Sequence, residues 1–538
     1  MAKSAKITVH PDYRIGKVDK RLYGAFLEPI RHWVYGAVWN PKHPEADDMG
    51  FRKDVLKLIK EFGLSQVRLP GGNWTSGWEW ENSIGPRSER RTQLDLAWRQ
   101  VETNAIGHDE YLEWSKRAGV DPIYTLNLGS ADLASAFHCV DYSLHPGGTY
   151  WSELRKKNGH PDPYPVRTWC LGNEMDGPWQ IASWEKDPKG YGVRAHETAK
   201  IIKWINPSCE TVVCGSCSPH TATYPQWDID VLEQCYESVD YVSIHHYYSA
   251  PEGNIDALLN VSQSFEDFIK TTIAGCDFMK TKIKSPKTMM ISFDEYGAHQ
   301  AKPADPIYWY NGRRSNIMEF SAEHLAGPFR RFDDCAYDGQ TAGPRKNSQM
   351  LEALALNAIT MTLLRHADRV KIGCLTGFLQ HVLRIDKDHA WKTAAYYAYE
   401  QLNKFGQGYS VMPIIDGSVH DVEQTKTDYW HENPACGNVQ LIEGAATVND
   451  ETGEAAIFYI NKDQQDDIPV ELDLRGFEGY KLLEHTEMYT NDLDARNSFE
   501  NQEVLKPRAA AGSTLENGRM STTAKKLSWN CIRLKRYD

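Results

Sequence analysis

Eight short apolar runs, each followed by a stretch long enough for a helix, constrain this chain more than any other feature. They are Tyr23–Glu28, Gln66–Pro70, Pro122–Leu128, Val166–Glu174, Thr211–Gly215, Tyr241–Tyr248, Thr288–Glu295 and Arg369–Thr376. Each has strand length and strand composition. Between them lie helical patterns. Phe51, Val55, Leu58, Ile59 and Phe62 fall on one face, with Gly63 placed to stop the helix, and Val193–Ile205 ends before Pro207. Met350–His366 is a third helical stretch. Parallel strands need helical crossovers, so eight strand-helix units predict a closed α/β barrel of the (β/α)8, TIM type over residues 20–404. Active groups then sit at the carboxyl ends of the strands.

Past about Phe405 the pattern changes to short strands and turns. Val439–Ile442, Ala455–Tyr459, Val470–Leu474, Tyr480–His485 and Leu527–Leu534 are separated by Gly-, Asn- and Asp-containing loops. This predicts an all-β sandwich over 405–538. A strand at Lys6–His10 has no helix partner, so residues 1–19 are expected to cross over and join that sandwich.

Bulk properties exclude several function classes. Apolar content of 41% and charged content of 25% are those of a globular protein. A net charge of −13 gives no basic footprint for nucleic acid or an anionic membrane. No apolar run approaches membrane-spanning length, and Met1–Lys6 leads into Ile7-Thr8-Val9 without a secretory apolar region. Eleven cysteines without regular spacing, several inside apolar strands, fit reduced thiols and a cytoplasmic location. Cys214-Gly215-Ser216-Cys217 has a redox spacing but lies at a strand end, so it reads as structural. Seventeen tryptophans and 27 tyrosines suit a carbohydrate ligand, since flat rings stack on sugar C–H faces and equally fill cores.

Three of the runs end in an acid, and in two of them, Val166–Glu174 and Thr288–Glu295, a polar residue, Asn173 or Asp294, comes just before it. Paired strand-end carboxyls are what glycoside hydrolysis needs, one as proton donor and one as nucleophile or base. The other predicted tips are hydrogen-bonding groups suited to a neutral sugar: Glu28, Gly71-Gly72-Asn73-Trp74, Asn127 and His245–Tyr248. Trp74, Trp78 and Trp80 offer either a stacking wall or core filling. His245-His246 has no second cluster at ligand spacing, so no metal and no cofactor is expected. The imidazole and phenol of His245 and Tyr247 are expected instead to hold the Glu295 carboxylate.

Several motifs match a known pattern: Arg68-Leu69-Pro70-Gly71-Gly72-Asn73, Leu94–Arg99, His145–Trp151, Ala367–Ile372 and, most specifically, Gly172–Gln180 (Gly-Asn-Glu-Met-Asp-Gly-Pro-Trp-Gln). In these the chain resembles glycoside hydrolase family 51, chiefly α-L-arabinofuranosidases. The resemblance implies a clan A barrel with a β-sandwich and a retaining exo-acting enzyme that removes terminal α-L-arabinofuranosyl residues from oligosaccharides. It further implies Glu174 as acid/base, Glu295 as nucleophile, and a substrate-binding set of Glu28, Asn73, Asn173, His245, Tyr247 and Trp179. A homo-oligomer, hexameric by the family's habit, goes with it. Alternatives are the same chemistry on a galactofuranoside or β-glucan, or a sugar-binding barrel without catalysis. The chain departs from the family at Glu28-Pro29, at Tyr296–His299 and at Gly377, which stands where the family has a sugar-reaching Gln. Gly377 therefore predicts room for a bulkier ring, unless Phe378 or His381 fills the space.

Overall fold

A computed structural model describes residues 2–301, 329–333, 335, 348–427 and 432–537. In it each of the eight runs overlaps a barrel strand. These are β1 Gly24–Phe26, β2 Gln66–Leu69, β3 Asp121–Thr125, β4 Thr168–Leu171, β5 Glu210–Cys214, β6 Tyr241–Pro251, β7 Met290–Ala301 and β8 Val370–Thr376. All pair in parallel with their neighbours, and Cys374 opposite Gly24 closes β8 onto β1. Phe26, Ile123, Cys170, Val212, Tyr241, Ile372 and Cys374 form a packed cluster from six of the strands, so the barrel is a core and not a pore.

The flanking helices follow the sequence pattern. Lys53–Phe62 buries Val55, Leu58, Ile59 and Phe62 and ends at Gly63 in the left-handed region (φ 74°), whose N–H bonds Ile59 O and Lys60 O. Gln349–Arg365 is buried almost all round. Its Arg365 donates to Glu443 Oε1 (3.0 Å) and to Gly444 O (3.0 Å), joining the barrel to the β-rich part.

That part is a sandwich of a seven-stranded and a five-stranded sheet. Ala5–Thr8 lies inside the smaller sheet, antiparallel to Ile414–Gly417 and parallel to Ile468–Asp473. Arg14–Lys17 edges the larger sheet beside Tyr409–Val411. Ile7, Val9, Val411, Ile457, Leu472 and Leu534 meet between the sheets. One expectation is corrected: Val439–Ile442 is not a single strand. Cys436–Gln440 pairs with Val419–Val422, and Ile442–Asn449 enters the seven-stranded sheet. Leu441 between them is buried in the sandwich core, which pulls the chain out of the first pairing. Among the described residues no helix is long and apolar enough to cross a membrane.

The position of Ile7, 1% exposed between two strands distant in sequence, gives a testable consequence. Ile7→Ala should cost about 2–5 kcal/mol in chemical denaturation followed by sandwich tryptophan signals such as Trp529. A loss below about 0.5 kcal/mol would mean that the strand does not belong to the fold.

Candidate active site

The two acids reach one site through two backbone irregularities. Along β6 and β7, Ser243 pairs with Ser292 but His245 pairs with Glu295, so β7 has one extra residue in that interval. The pairing with β8 shifts as well, between Phe293 and Tyr296. A bulge of this kind re-aims side chains. Its effect here is that consecutive residues, Asp294 and Glu295, face the same buried groups instead of opposite sides. At the tip of β4, Glu174 adopts φ 46°, in the left-handed region, after Gly172 at φ 100°. A non-glycine residue there costs on the order of 1 kcal/mol and is held by its surroundings.

Arg68 is the group around which these acids gather. It comes from the middle of β2, is 1% exposed, and donates from Nη1 to Glu295 Oε1 (2.6 Å) and from Nη2 to Asn173 Oδ1 (2.6 Å). Its Nε lies 3.5 Å from Asp294 Oδ2. Tyr247 donates its hydroxyl to Glu295 Oε2 (2.6 Å), which leaves Thr376 Oγ1, 2.9 Å away, to donate to the phenol oxygen. Trp179 donates its indole N–H to Glu174 Oε2 (2.7 Å). His245 spans the two halves: Nδ1 is 3.0 Å from Glu174 Oε1, Nε2 is 3.1 Å from Asp294 Oδ1, and Nδ1 is 3.8 Å from Glu295 Oε1. Ser243 also hydrogen-bonds Asp294.

Burial alone would lower His245, but Glu295, Asp294 and Glu174 outweigh it and push the imidazole up to about 10. Burial would raise Asp294, but Arg68 and His245 hold it down at about 2. Glu295 is pushed above the ordinary carboxylate range by burial, against His245 and Arg68, with the facing Glu174 adding to the rise. Burial and then the charge of Glu295 push Glu28 up to about 8, although Trp74 N donates to its Oε1 (3.0 Å). Glu28 and Glu295 come close because Gly72 lies between them. A Cβ there would be 3.0 Å from Glu295 Oε1 and 3.2 Å from Glu28 Oε2.

The structure thus gathers Glu28, Asn73, Asn173, Glu174, Trp179, His245, Tyr247 and Glu295 at the barrel mouth. Asn173 donates to Asn73 Oδ1 (2.9 Å). Two expectations change, and one open alternative closes. His245 faces carboxylates at both ring nitrogens and has none to spare for a sugar hydroxyl, so it positions acids and does not bind substrate. Trp74, Trp78 and Trp80 are 2–4% exposed and fill the core. Asn127 turns back to donate to Trp78 O (2.9 Å) and shapes its own loop. Arg68, Ser243, Asp294 and Thr376 were not singled out from sequence. The signal for Arg68 was present, as a cation at an inward position of an apolar strand. Donor atoms of Glu174, His245 and Glu295 all lie within 4.8 Å of one another. With Arg68 bonded to Glu295 and His245 protonated, this group is already supplied with positive charge, and a metal ion would face two cations.

Gly377 is not open space. It has φ 70°, and a Cβ would meet His381 Cδ2 at 2.8 Å and Nε2 at 3.2 Å, with Trp33 Cη2 at 3.6 Å. His381 Nδ1 is hydrogen-bonded to the buried Glu352 Oε1 (2.8 Å). The imidazole fills the volume that a glycine was expected to leave empty, so the expected room for a larger ring is withdrawn.

Comparison with known proteins gives a consistent picture. The profile described as alpha-L-arabinofuranosidase 1 domain matches residues 58–267, and that of the alpha-L-arabinofuranosidase C-terminal domain matches 294–528. The chain is 37% identical over 541 residues to an intracellular exo-α-(1→5)-L-arabinofuranosidase 1 of Bacillus subtilis, covering 100% of both. It is 32% identical to an exo-α-(1→6)-L-arabinofuranosidase of Bifidobacterium longum, covering 99% of this chain and 98% of that one. Among solved structures, a family 51 α-L-arabinofuranosidase from Bifidobacterium longum superimposes with a TM-score of 0.82 at 27% identity, covering 99% of this chain and 100% of that one.

The left-handed backbone and the imidazole at Gly377 set the outcome of refilling that position. Gly377→Gln should lower stability by about 1–3 kcal/mol, from the backbone and from displacing His381. Thermal melting reads this, and an unchanged melting temperature would return the space to solvent or ligand.

Proposed function

The chain belongs to glycoside hydrolase family 51, the α-L-arabinofuranosidase family, and from that premise we propose that it is a retaining exo-glycosidase releasing terminal α-L-arabinofuranosyl residues. The observation that carries this is the meeting of the two acids in one site, with one oxygen of Glu174 and one of Glu295 within 4.8 Å of each other and both beside His245. Retaining enzymes hold their carboxyls about 5–5.5 Å apart for direct attack, whereas inverting ones leave about 6.5–9.5 Å for a water. Glu295 is the nucleophile. Its carboxylate bonds to the anomeric carbon while Glu174 gives its proton to the glycosidic oxygen, and the leaving alcohol departs. Glu174, now a carboxylate, then takes a proton from water, the water oxygen attacks the anomeric carbon, and Glu295 leaves as a carboxylate.

Donors on both Glu295 oxygens, from Arg68 and Tyr247, fix the nucleophile's direction. Trp179 and His245 do the same for Glu174. Asn73, Asn173 and Glu28 are the groups assigned to the furanose hydroxyls, with Trp179 presenting its half-buried ring beside them. The relatives act on different linkages by name, so the assignment stops at the terminal arabinofuranosyl unit and an oligosaccharide partner. A cytoplasmic location agrees with the relative named intracellular, and a homo-oligomer is inferred from the family alone. We assign the barrel to residues 20–404 and the sandwich to 405–538 with 1–19, a division supported by the pairing of Ala5–Thr8 and Arg14–Lys17.

Azide rescue tests the roles. Glu174→Ala should keep forming the glycosyl-enzyme from an activated aryl arabinofuranoside, and added azide should yield the retained glycosyl azide. Glu295→Ala should lose turnover, and azide should yield the inverted product. Exchanged products would exchange the two roles.

The pH profile adds a second test. Glu28 holds its proton below about 8, and above that its charge adds to that of Glu295. The value of kcat/KM should therefore fall as pH rises through about 8. In Glu28→Gln, whose amide cannot ionise, that limb should move to higher pH. An unmoved limb would assign it to the proton donor instead.

A further inference from the structure

The Cys214-Gly215-Ser216-Cys217 spacing at the end of β5 is not a redox pair. Burial pushes both thiols up, that of Cys214 to about 12, and the charge of Asp176 adds to the rise at Cys217. What the segment supplies to the site is backbone. Gly215 is required there, since a Cβ would lie 2.6 Å from Ser243 O and 2.6 Å from Val242 Cγ2. Past it, the Ser216–Cys217 peptide unit faces two ways. Its carbonyl, Ser216 O, accepts the His245 N–H (3.3 Å). Its N–H, on Cys217, donates to both carboxylate oxygens of Asp176 (3.2 Å each).

Both ends of this link are buried and held from behind. Ser216 donates its N–H (2.7 Å) and its hydroxyl (2.9 Å) to Asp228 Oδ1 on the helix Gln226–Cys235, which fixes the turn. Asp176 is 1% exposed, and Thr221 Oγ1 lies 3.4 Å from its Oδ2. A peptide unit is planar and stiff, so it sets the separation between Asp176 and the main chain of His245.

Glu174 lies between these two anchors. Asp176 follows it in the chain, and the imidazole of His245 meets its Oε1 (3.0 Å). The β4–β5 ladder ends at the Leu171–Val213 pair, before Glu174 is reached, so the left-handed backbone at Glu174 needs ties other than the ladder. On the β2 side Gln180 supplies one, donating to Asn173 O (2.7 Å) and to Ser76 Oγ (2.6 Å). On the β5 side Asp176 supplies the other. We propose that Asp176 is a positioning residue for the proton donor: through the Ser216–Cys217 peptide it sets the Glu174 carboxyl against His245 and aims it at the leaving oxygen. This role rests on the proposed function of Glu174 as acid/base.

Kinetics on two aryl α-L-arabinofuranosides test this. A dinitrophenyl group leaves without a proton, whereas a phenyl group needs one. In Asp176→Ala, kcat/KM on the dinitrophenyl substrate should stay within about threefold of the native enzyme, and on the phenyl substrate it should fall about 10- to 100-fold. Asp176→Asn, whose amide can still accept the Cys217 N–H, should recover part of the phenyl activity. Glu174→Ala is the benchmark and should show the same selective loss, larger in size. A substitution that only loosened the fold would lower the melting temperature and affect both substrates alike. Equal losses on the two substrates in Asp176→Ala, or no loss, would overturn the positioning role and leave that of Glu174 standing. Should Asp176→Ala fail to fold, Asp176→Asn is read by the same ratio: a selective fall on the phenyl substrate supports the role, and an unchanged ratio overturns it. If Glu174→Ala itself does not discriminate between the leaving groups, the proposed acid/base role fails, and Asp176 has no proton donor to position.

Discussion

A buried guanidinium organises the barrel mouth. Arg68 is planar and permanently charged, and its fork serves Glu295 and Asn173 at once while its Nε faces Asp294. A carboxylate taken from water into a site like this loses several kcal/mol of solvation, which a close cation with directed hydrogen bonds can offset. Removing the cation would leave His245 as the one cation beside Asp294 and Glu295, so the ends of β4 and β7 both depend on this one side chain from β2. Lys would supply the charge but not the planar fork that holds both hydrogen-bonded partners in fixed directions.

With Arg68 fixed, the backbone irregularities have a common purpose. The bulge in β7 turns both Asp294 and Glu295 inward, and the left-handed Glu174 swings the second acid over them. A regular strand would send Asp294 and Glu295 to opposite faces. His245 then completes the set. With Glu174 carrying its proton, Arg68 and His245 balance Asp294 and Glu295 charge for charge, and the cluster presents no net field to a neutral sugar. When Glu174 gives up that proton, Glu295 loses its charge to the ester, so the balance is kept through the first step.

How far the sequence discloses this differs by level. The barrel is readable because its strands are runs of apolar residues bounded by turns, and helices such as Lys53–Phe62 carry one apolar stripe. Glu174 and Glu295 are readable as a pair: one acid at a strand end serves capping or solubility as well, whereas two on separate strands, one of them after Asn173, match what glycoside hydrolysis needs. Arg68 and Asp294 are harder, since their meaning lies in partners on other strands: Arg68 in β2 meets Asp294 in β7. The bulge also hides Asp294, because strand alternation assigns it to the face opposite Glu295. The break at Leu441 was invisible for a related reason. Val439, Leu441 and Ile442 read as one short run, and what divides it is that the strands on either side of Leu441 have different pairing partners.

Gly377 shows the limit most sharply, because a missing side chain was expected to mean missing volume. In close-packed interiors volume is conserved more faithfully than side-chain identity. The left-handed backbone at residue 377 admits glycine, and His381, one helical turn on, lays its ring over the Cα that glycine leaves bare. Buried Glu352 holds that ring in place from behind. The adjacent Thr376 donates to Tyr247, and Tyr247 to Glu295, so this corner is tied to the nucleophile by two hydrogen bonds. A change in the size of residue 377 therefore acts on the Glu295 carboxylate as well as on the space beside the sugar. The close approach of His381, and not an opening, is what distinguishes this site.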